Sequence, residues 1–362
     1  MDGETVKNIP TPSLNQNEQS EAQGARSALV WVVLITLAVF SACGGSSEDD
    51  AGVDPAGDGS AADPASPAER PVEATSLLGE PLQRTELSPE VEADFTTKLA
   101  EAEAQLAANP DDPEALIWVG RRTAYLGRYQ DAIDIFSRGV EAFPEDPRFL
   151  RHRGHRYIST RQIDRAVADF AKAYEMIQGT EDQVEPDGMP NAQGTPTSTL
   201  HSNIRYHLAL AHVLRGEFDQ ALPLYQEDVE KAGNPDMRTA SSYWLYLTLR
   251  RLGRNDEAQA VVADLPPFED LIENFDYHRL LQAFGRGGAF EDGDDGPDTL
   301  NLSGATVGYG LATYDLVEGR EEEAYAAYEQ ILEGPQWAAF GYIAAEAELA
   351  RRKSGDGGAS EE

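Results

Sequence analysis

Arg148, Arg151 and His155 stand at i, i+3 and i+7, the spacing that sets three side chains on one face of a helix. Two guanidinium forks beside an imidazole suit one kind of chemistry, the holding of carboxylates, because the planar fork meets both carboxylate oxygens at once. His152 and His155, at i and i+3, could face one metal ion, but no third ligand is evident and zinc normally takes four. The run Asp292-Gly-Asp294-Asp295-Gly296-Pro-Asp298 gathers carboxylates, yet it lacks the alternating oxygen ligands and terminal glutamate of a calcium loop and reads as a solvated segment. No G-x-S-x-G, H-E-x-x-H, phosphate loop or dinucleotide fingerprint occurs. The expectation is a protein with no enzyme activity, cofactor or metal. Cys43 is the single cysteine, so no disulfide can form within the chain.

Charge separates the partners such a face could meet. The 362-residue chain carries a formal net charge of -35, which disfavours general binding to nucleic acid, whose phosphates need a basic footprint. The distribution is uneven. Residues 114–172 hold 11 Lys+Arg against 8 Asp+Glu, whereas residues 173–362 hold 13 against 35. A basic stretch in an acidic protein focuses field on an anionic partner. The alternative is that these arginines pair locally, with Glu114, Asp131, Asp134 and Asp164 within reach.

The chain's start is a targeting segment and not a fold element. Arg26 precedes the apolar run from Ala28 to Phe40, and small residues lead to Cys43. Phe40-Ser-Ala-Cys43 resembles a bacterial lipobox, which implies cleavage before Cys43 and lipid attachment to it. The apolar run is about 15 residues, short of the ~20 that span a bilayer; an uncleaved anchor helix is the alternative. Either places the remainder outside the cytoplasm, at the bacterial cell envelope, because Arg26 stays on the inner side. Residues 1–42 are therefore assigned to a signal peptide and 43–78 to an acidic tether rich in Ala, Gly, Pro and Asp, with too few apolar residues for a core.

Residues 79–353 must supply the scaffold that positions the arginines. Gly127-Arg-Tyr129-Gln-Asp-Ala132-Ile-Asp-Ile-Phe136 recurs as Gly216-Glu-Phe218-Asp-Gln-Ala221-Leu-Pro-Leu-Tyr225. It recurs again as Arg161-Gln-Ile163-Asp-Arg-Ala166-Val-Ala-Asp-Phe170, a copy without its glycine, and more loosely at Gly253 and Gly319. Ala132 and Ala166 lie 34 residues apart. This period and pattern resemble the tetratricopeptide (TPR) repeat, a helix–turn–helix unit. The resemblance implies an all-α fold, a right-handed superhelical array of helix–turn–helix repeats. Repeats are expected at about 113–146, 147–180, 202–233, 239–265 and 305–334, with capping helices at 89–108 and 337–352. Pro- and Gly-rich residues 179–199 form an insertion, residues 285–298 a loop, and residues 354–362 a frayed tail.

In TPR arrays the first helix of each repeat lines a concave groove. By position, that implies Arg121, Arg148, Arg151, His152, His155, Tyr206, His207, Tyr243 and Trp244 as groove residues. The aromatic ones would anchor apolar parts of a protein or peptide partner whose carboxylates meet the arginines. The lysine and asparagine of the TPR carboxylate clamp are replaced here by Ile117 and Arg121, then Arg151 and His155. The function expected is an extracytoplasmic, lipid-anchored scaffold that binds an acidic protein or peptide and organises an envelope complex. A glycan- or peptidoglycan-binding module, or an accessory subunit of an enzyme complex, is the alternative.

Overall fold

The computed structural model describes residues 70–289 and 302–358. Two short strands, β1 (Val72–Thr75) and β2 (Pro81–Gln83), form an antiparallel hairpin. Helices follow in the order α1 (Pro89–Ala108), α2 (Pro113–Tyr125), α3 (Tyr129–Ala142), α4 (Pro147–Ser159), α5 (Ile163–Met176), α6 (Leu200–Leu214) and α7 (Phe218–Glu230). Then come α8 (Pro235–Arg251), α9 (Asn255–Ala263), α10 (Phe275–Gly285), α11 (Leu302–Val317), α12 (Glu321–Leu332) and α13 (Phe340–Gly358). The pairs α2/α3, α4/α5, α6/α7, α8/α9 and α11/α12 pack as helical hairpins, each also packed on its neighbours. This is an all-α solenoid of TPR-type repeats.

Local chemistry sets the helix boundaries. Asp112 and Asp146 each accept the backbone N–H two residues on at 3.0 Å, and a proline opens both helices. Asn234 caps α8 by accepting the Met237 N–H, three residues on, again before a proline. Each second helix begins two residues after a turn residue in the left-handed region: Gly127, Gly216, Gly253 and Gly319 lie at φ 72°, 75°, 70° and 82°. Between hairpin partners, glycine on the first helix lets an aromatic ring of the second approach. A Cβ on Gly154 would stand 2.7 Å from the Phe170 ring, which is fully buried.

Arg161 stands where the second repeat lacks its glycine, and it takes the same left-handed conformation, φ 62°. A side chain there costs about 1–2 kcal/mol. Its guanidinium is committed to tertiary contacts. Nη2 donates to Glu346 Oε2 at 2.8 Å and to the Trp337 carbonyl at 2.7 Å, and Nη1 donates to the Ser159 carbonyl at 2.6 Å. Both partners of the ion pair are buried, at 2% and 0% side-chain exposure.

One expectation changes here. The tether was expected to run to residue 78, but Val72–Thr75 is a strand, and Glu73 is buried against α3. Its Oε2 accepts the N–H groups of Tyr129 and Gln130 at 2.9 and 3.3 Å, and its Oε1 accepts from Arg84. A carboxylate from a distant strand thus caps a helix whose own N-cap residue, Arg128, makes no side-chain cap. The C-terminal helix, expected as a capping helix, buries Ile343, Ala344, Ala345, Glu346, Ala347 and Glu348. Helix α13 packs on α11, α12 and α6. Arg251 of α8 pairs with Glu348, Arg351 donates to the Leu214 carbonyl at the end of α6, and Trp337 Nε1 donates to the Gln83 carbonyl in β2. The last helix therefore returns to the second repeat and the N-terminal hairpin.

Arg161→Gly relieves the turn but leaves Glu346 buried without its cation. The expected net loss is about 2–3 kcal/mol, from a broken buried pair worth ~3–5 and relief of ~1–2. Adding Glu346→Leu should recover most of that loss. Urea unfolding of the two variants beside wild type measures both; an undiminished single variant would refute the account.

Candidate functional site

The basic face of α4 does not lie open. The insertion leaves α5 and returns through a short ribbon, in which Glu185 N–H donates to the Ser198 carbonyl and Leu200 N–H to the Gln183 carbonyl. It then passes over α2 and α4. Arg122 donates to the Gly188 carbonyl at 3.0 Å, and Asn191 and Thr197 both reach the Glu273 carboxylate. Under this strap lies a cavity of about 110 Å³ lined by Arg121, Tyr125, Arg151, His152, His155, Arg156 and Glu185. Arg121, Arg151 and Glu185 also line a second chamber, and its far wall (Thr197, Ser198, Glu273) is shared with a third beside Tyr206, Tyr277 and Phe340. The three make one cleft, basic at α2/α4 and aromatic at α6/α10.

Arg151 sits at the centre of the basic end, with 9% side-chain exposure. Its Nε lies 2.9 Å from Glu185 Oε2. The two form a buried ion pair. Its Nη1 reaches Nδ1 of His152 at 3.3 Å and of His155 at 3.4 Å. A guanidinium can only donate, so both imidazoles accept at Nδ1 and carry their proton on Nε2. Burial first, and then the neighbouring arginines, push both histidines well below the ordinary value, so each is neutral at pH 7. Burial also lowers the guanidinium pKa values of Arg151, which Glu185 opposes, and of Arg156.

Arg121 lies 4.3 Å from the Trp118 ring centroid and Arg156 5.1 Å from that of Tyr129. Ring faces hold these two cations in place without neutralising them. Among the described residues neither has a carboxylate partner.

The residues predicted for the groove therefore divide. Arg121, Arg151, His152 and His155 meet in the cavity. Tyr206 and His207 form the aromatic end, where the His207 ring lies 4.7 Å from His155 and 5.5 Å from Phe340. Arg148 is elsewhere. It pairs with Asp146 and Glu114, both at 2.6 Å, and ties the first two repeats together. Tyr243 and Trp244, at 0% and 1% exposure, are core. Tyr277 of α10 stacks on Tyr243 at 4.5 Å and covers it, and Trp244 Nε1 donates to Tyr206 from within. Arg156, Glu185, Tyr277 and Phe340 belong to the site and were not foreseen. Arg156 continues the Arg148–Arg151 series by sequence; the other three come from segments that only the fold brings near. Cys43 lies outside the described residues.

No family model matches the chain, and no curated protein matches it. Solved structures do resemble it. The TPR protein YrrB, described as having an unusual peptide-binding site, is 16% identical, with 68% of this chain and 97% of that one covered and a TM-score of 0.37. A tetratricopeptide repeat protein from Parabacteroides merdae is 13% identical over 71% of this chain and 93% of its own, with a TM-score of 0.41. A thermophilic TPR protein of Thermus thermophilus is 19% identical over 66% and 100%, with a TM-score of 0.34. At these values the likenesses carry no argument; the repeat assignment rests on the register of turns, glycines and rings above.

His207 gives a test of the packing at the cleft. Burial pushes its imidazole from 6.5 down to about 3. Between those values the unfolded chain binds more protons at this residue than the folded chain, so its contribution to stability falls as pH drops below 6.5. Asp228, raised by burial to about 6, acts in the opposite sense over its own range. Urea midpoints of wild type and His207→Leu at pH 7 and pH 5 isolate the His207 share. The expected outcome is a smaller acid-induced loss in the variant.

Proposed function

We propose that this chain is a membrane-tethered interaction scaffold of the bacterial envelope, which docks an acidic segment of a protein partner into the basic end of the cleft. Its work is holding, not chemistry. The observation that carries the reading is a cation excess inside a covered site: Arg121, Arg151 and Arg156 face a cavity whose only carboxylate among the described residues is Glu185. In a chain of net charge -35, three guanidiniums brought together from two repeats favour an anionic partner. A segment entering the cleft would set its carboxylates against Arg121, Arg151 and Arg156. Its apolar side chains would rest on Tyr206, Tyr277 and Phe340. His155 stands between the two ends. A glycan module is the second reading, favoured by the ring-walled chamber at Tyr206, Tyr277 and Phe340 with Asn203 and Ser241 on its wall.

The tether follows from Cys43 and the segment before it. No helix among the described residues is long and apolar enough to cross a membrane. We assign the anchor to lipid on Cys43, which lies outside the described residues.

Two measurements test these proposals. Arg121→Gln and Arg156→Gln should each weaken binding of an acidic peptide or captured partner about tenfold, the value of one charge-assisted bond, while thermal unfolding stays near that of wild type. Binding of purified envelope glycan that neither substitution alters would favour the second reading. Cys43→Ser should leave an uncleaved precursor without acyl chains, read by mass spectrometry of the N-terminal peptide. A Cys43→Ser chain with the same N-terminus and membrane fraction as wild type would refute lipidation and support the anchor helix.

A further inference from the structure

We propose that the cavity under the strap is a seat for one small oxyanion of double negative charge, a phosphate or phosphomonoester head, held by Arg121, Arg151 and Arg156. The inference rests on the docking reading of this cleft and narrows it to the group that enters.

Three guanidiniums against the Glu185 carboxylate leave a formal charge of +2 in a largely buried space. Guanidinium does not shed its proton in proteins, and both nearby imidazoles are already neutral, so no titration can remove the excess. Arg151, the buried one of the three, is paired with Glu185; Arg121 and Arg156 are half-buried without a carboxylate partner among the described residues, and a dianion would supply their counter-charge in one group. The donors are also arranged for an oxyanion. Arg121 and Arg156 line the cavity and are fixed by ring stacking and not by carboxylates, so their N–H groups are not committed to an acid among the described residues. Tyr125 adds a hydroxyl. The volume, about 110 Å³, is several times the ~10–15 Å³ that one water requires, which admits a polyatomic ion. Glu185 is then the built-in counter-ion that lowers the seat's charge, and the strap that carries it covers the seat.

Calorimetric titration of the full chain in detergent tests this at ionic strength fixed with chloride. The probes are inorganic phosphate, glycerol phosphate and an acetylated glutamate-rich peptide. Saturable binding of phosphate or its ester is expected, weakened about tenfold by Arg121→Gln or Arg156→Gln. Arg165→Gln, outside the cavity, should change nothing. Glu185→Gln should tighten binding, because it removes the competing negative charge; Arg156→Lys should retain part of it. Tighter binding of the ester than of the free ion assigns the seat to a ligand head group, and the reverse assigns it to the ion itself. A folded wild type that binds neither, or binding that both Arg→Gln variants leave intact, overturns the proposal. If the peptide binds while phosphate neither binds nor competes, the oxyanion seat fails and the docking reading stands. If phosphate binds and the peptide does not, the docking reading fails alone.

Discussion

The Arg161–Glu346 ion pair is the contact on which the rest of this structure depends. It joins the turn of the second repeat to the last helix, 185 residues away, and both groups are almost fully buried. Burying two charges is expensive unless each lone pair and each donor is used. Here each nitrogen of Arg161 and both carboxylate oxygens are engaged: Glu346 also accepts the Leu77 N–H of the N-terminal hairpin, and Arg161 also holds the Ser159 and Trp337 carbonyls. The hairpin in turn brings Glu73 to the start of α3. By holding α13 in place the pair also sets Phe340 against His155 and His207, which makes one wall of the cleft. A left-handed arginine is thus the local cost of closing the array.

The repeats were legible in the sequence because their physics is local. A left-handed turn residue, a small residue at the helix contact and a ring beside it recur at a fixed spacing, and Gly127, Ala132 and Phe136 could be read without knowing what surrounds them. The last helix was not legible in this way. Its Ala-rich run from Ile343 to Ala347 fits a cap and an interior helix equally, and only the position of Arg161 decides between them. Tyr243 and Trp244 occupy groove register but are covered by α10, an extra helix outside the repeat pattern. Arg148 was read with its helix face, yet its nearest carboxylates are its own N-cap, Asp146, and Glu114 one repeat back. Local pairing, the competing expectation, describes Arg148; for Arg121 and Arg156 it does not hold among the described residues.

The cleft shows how an acidic protein maintains a basic site. The arginines come from two consecutive first helices, so the repeat geometry forces them together. The rings of Trp118 and Tyr129 position two of them without spending a carboxylate. Neutral histidines accept from the third, leaving its charge intact. The insertion then limits solvent access, which strengthens every electrostatic contact inside. Glu185 is the one carboxylate on the cavity wall among the described residues, and it arrives on the strap and not on the repeats; Asp187 and Glu273 line the chamber beside it.

The return of α13 to the second repeat also alters how such an array gains its stability. Stacked repeats ordinarily behave as a one-dimensional series in which each unit touches only its neighbours, so folding can spread from any point. A chain whose C-terminal helix bonds to the turn of its N-terminal hairpin has contacts of very large sequence separation, and those form slowly. The ring of contacts cannot close until residues near Glu346 and Arg351 have emerged from synthesis. Until that moment the first helices present the ring-lined surface that α13 later covers, so the emergence of α13 is also the moment at which the scaffold becomes a single cooperative body.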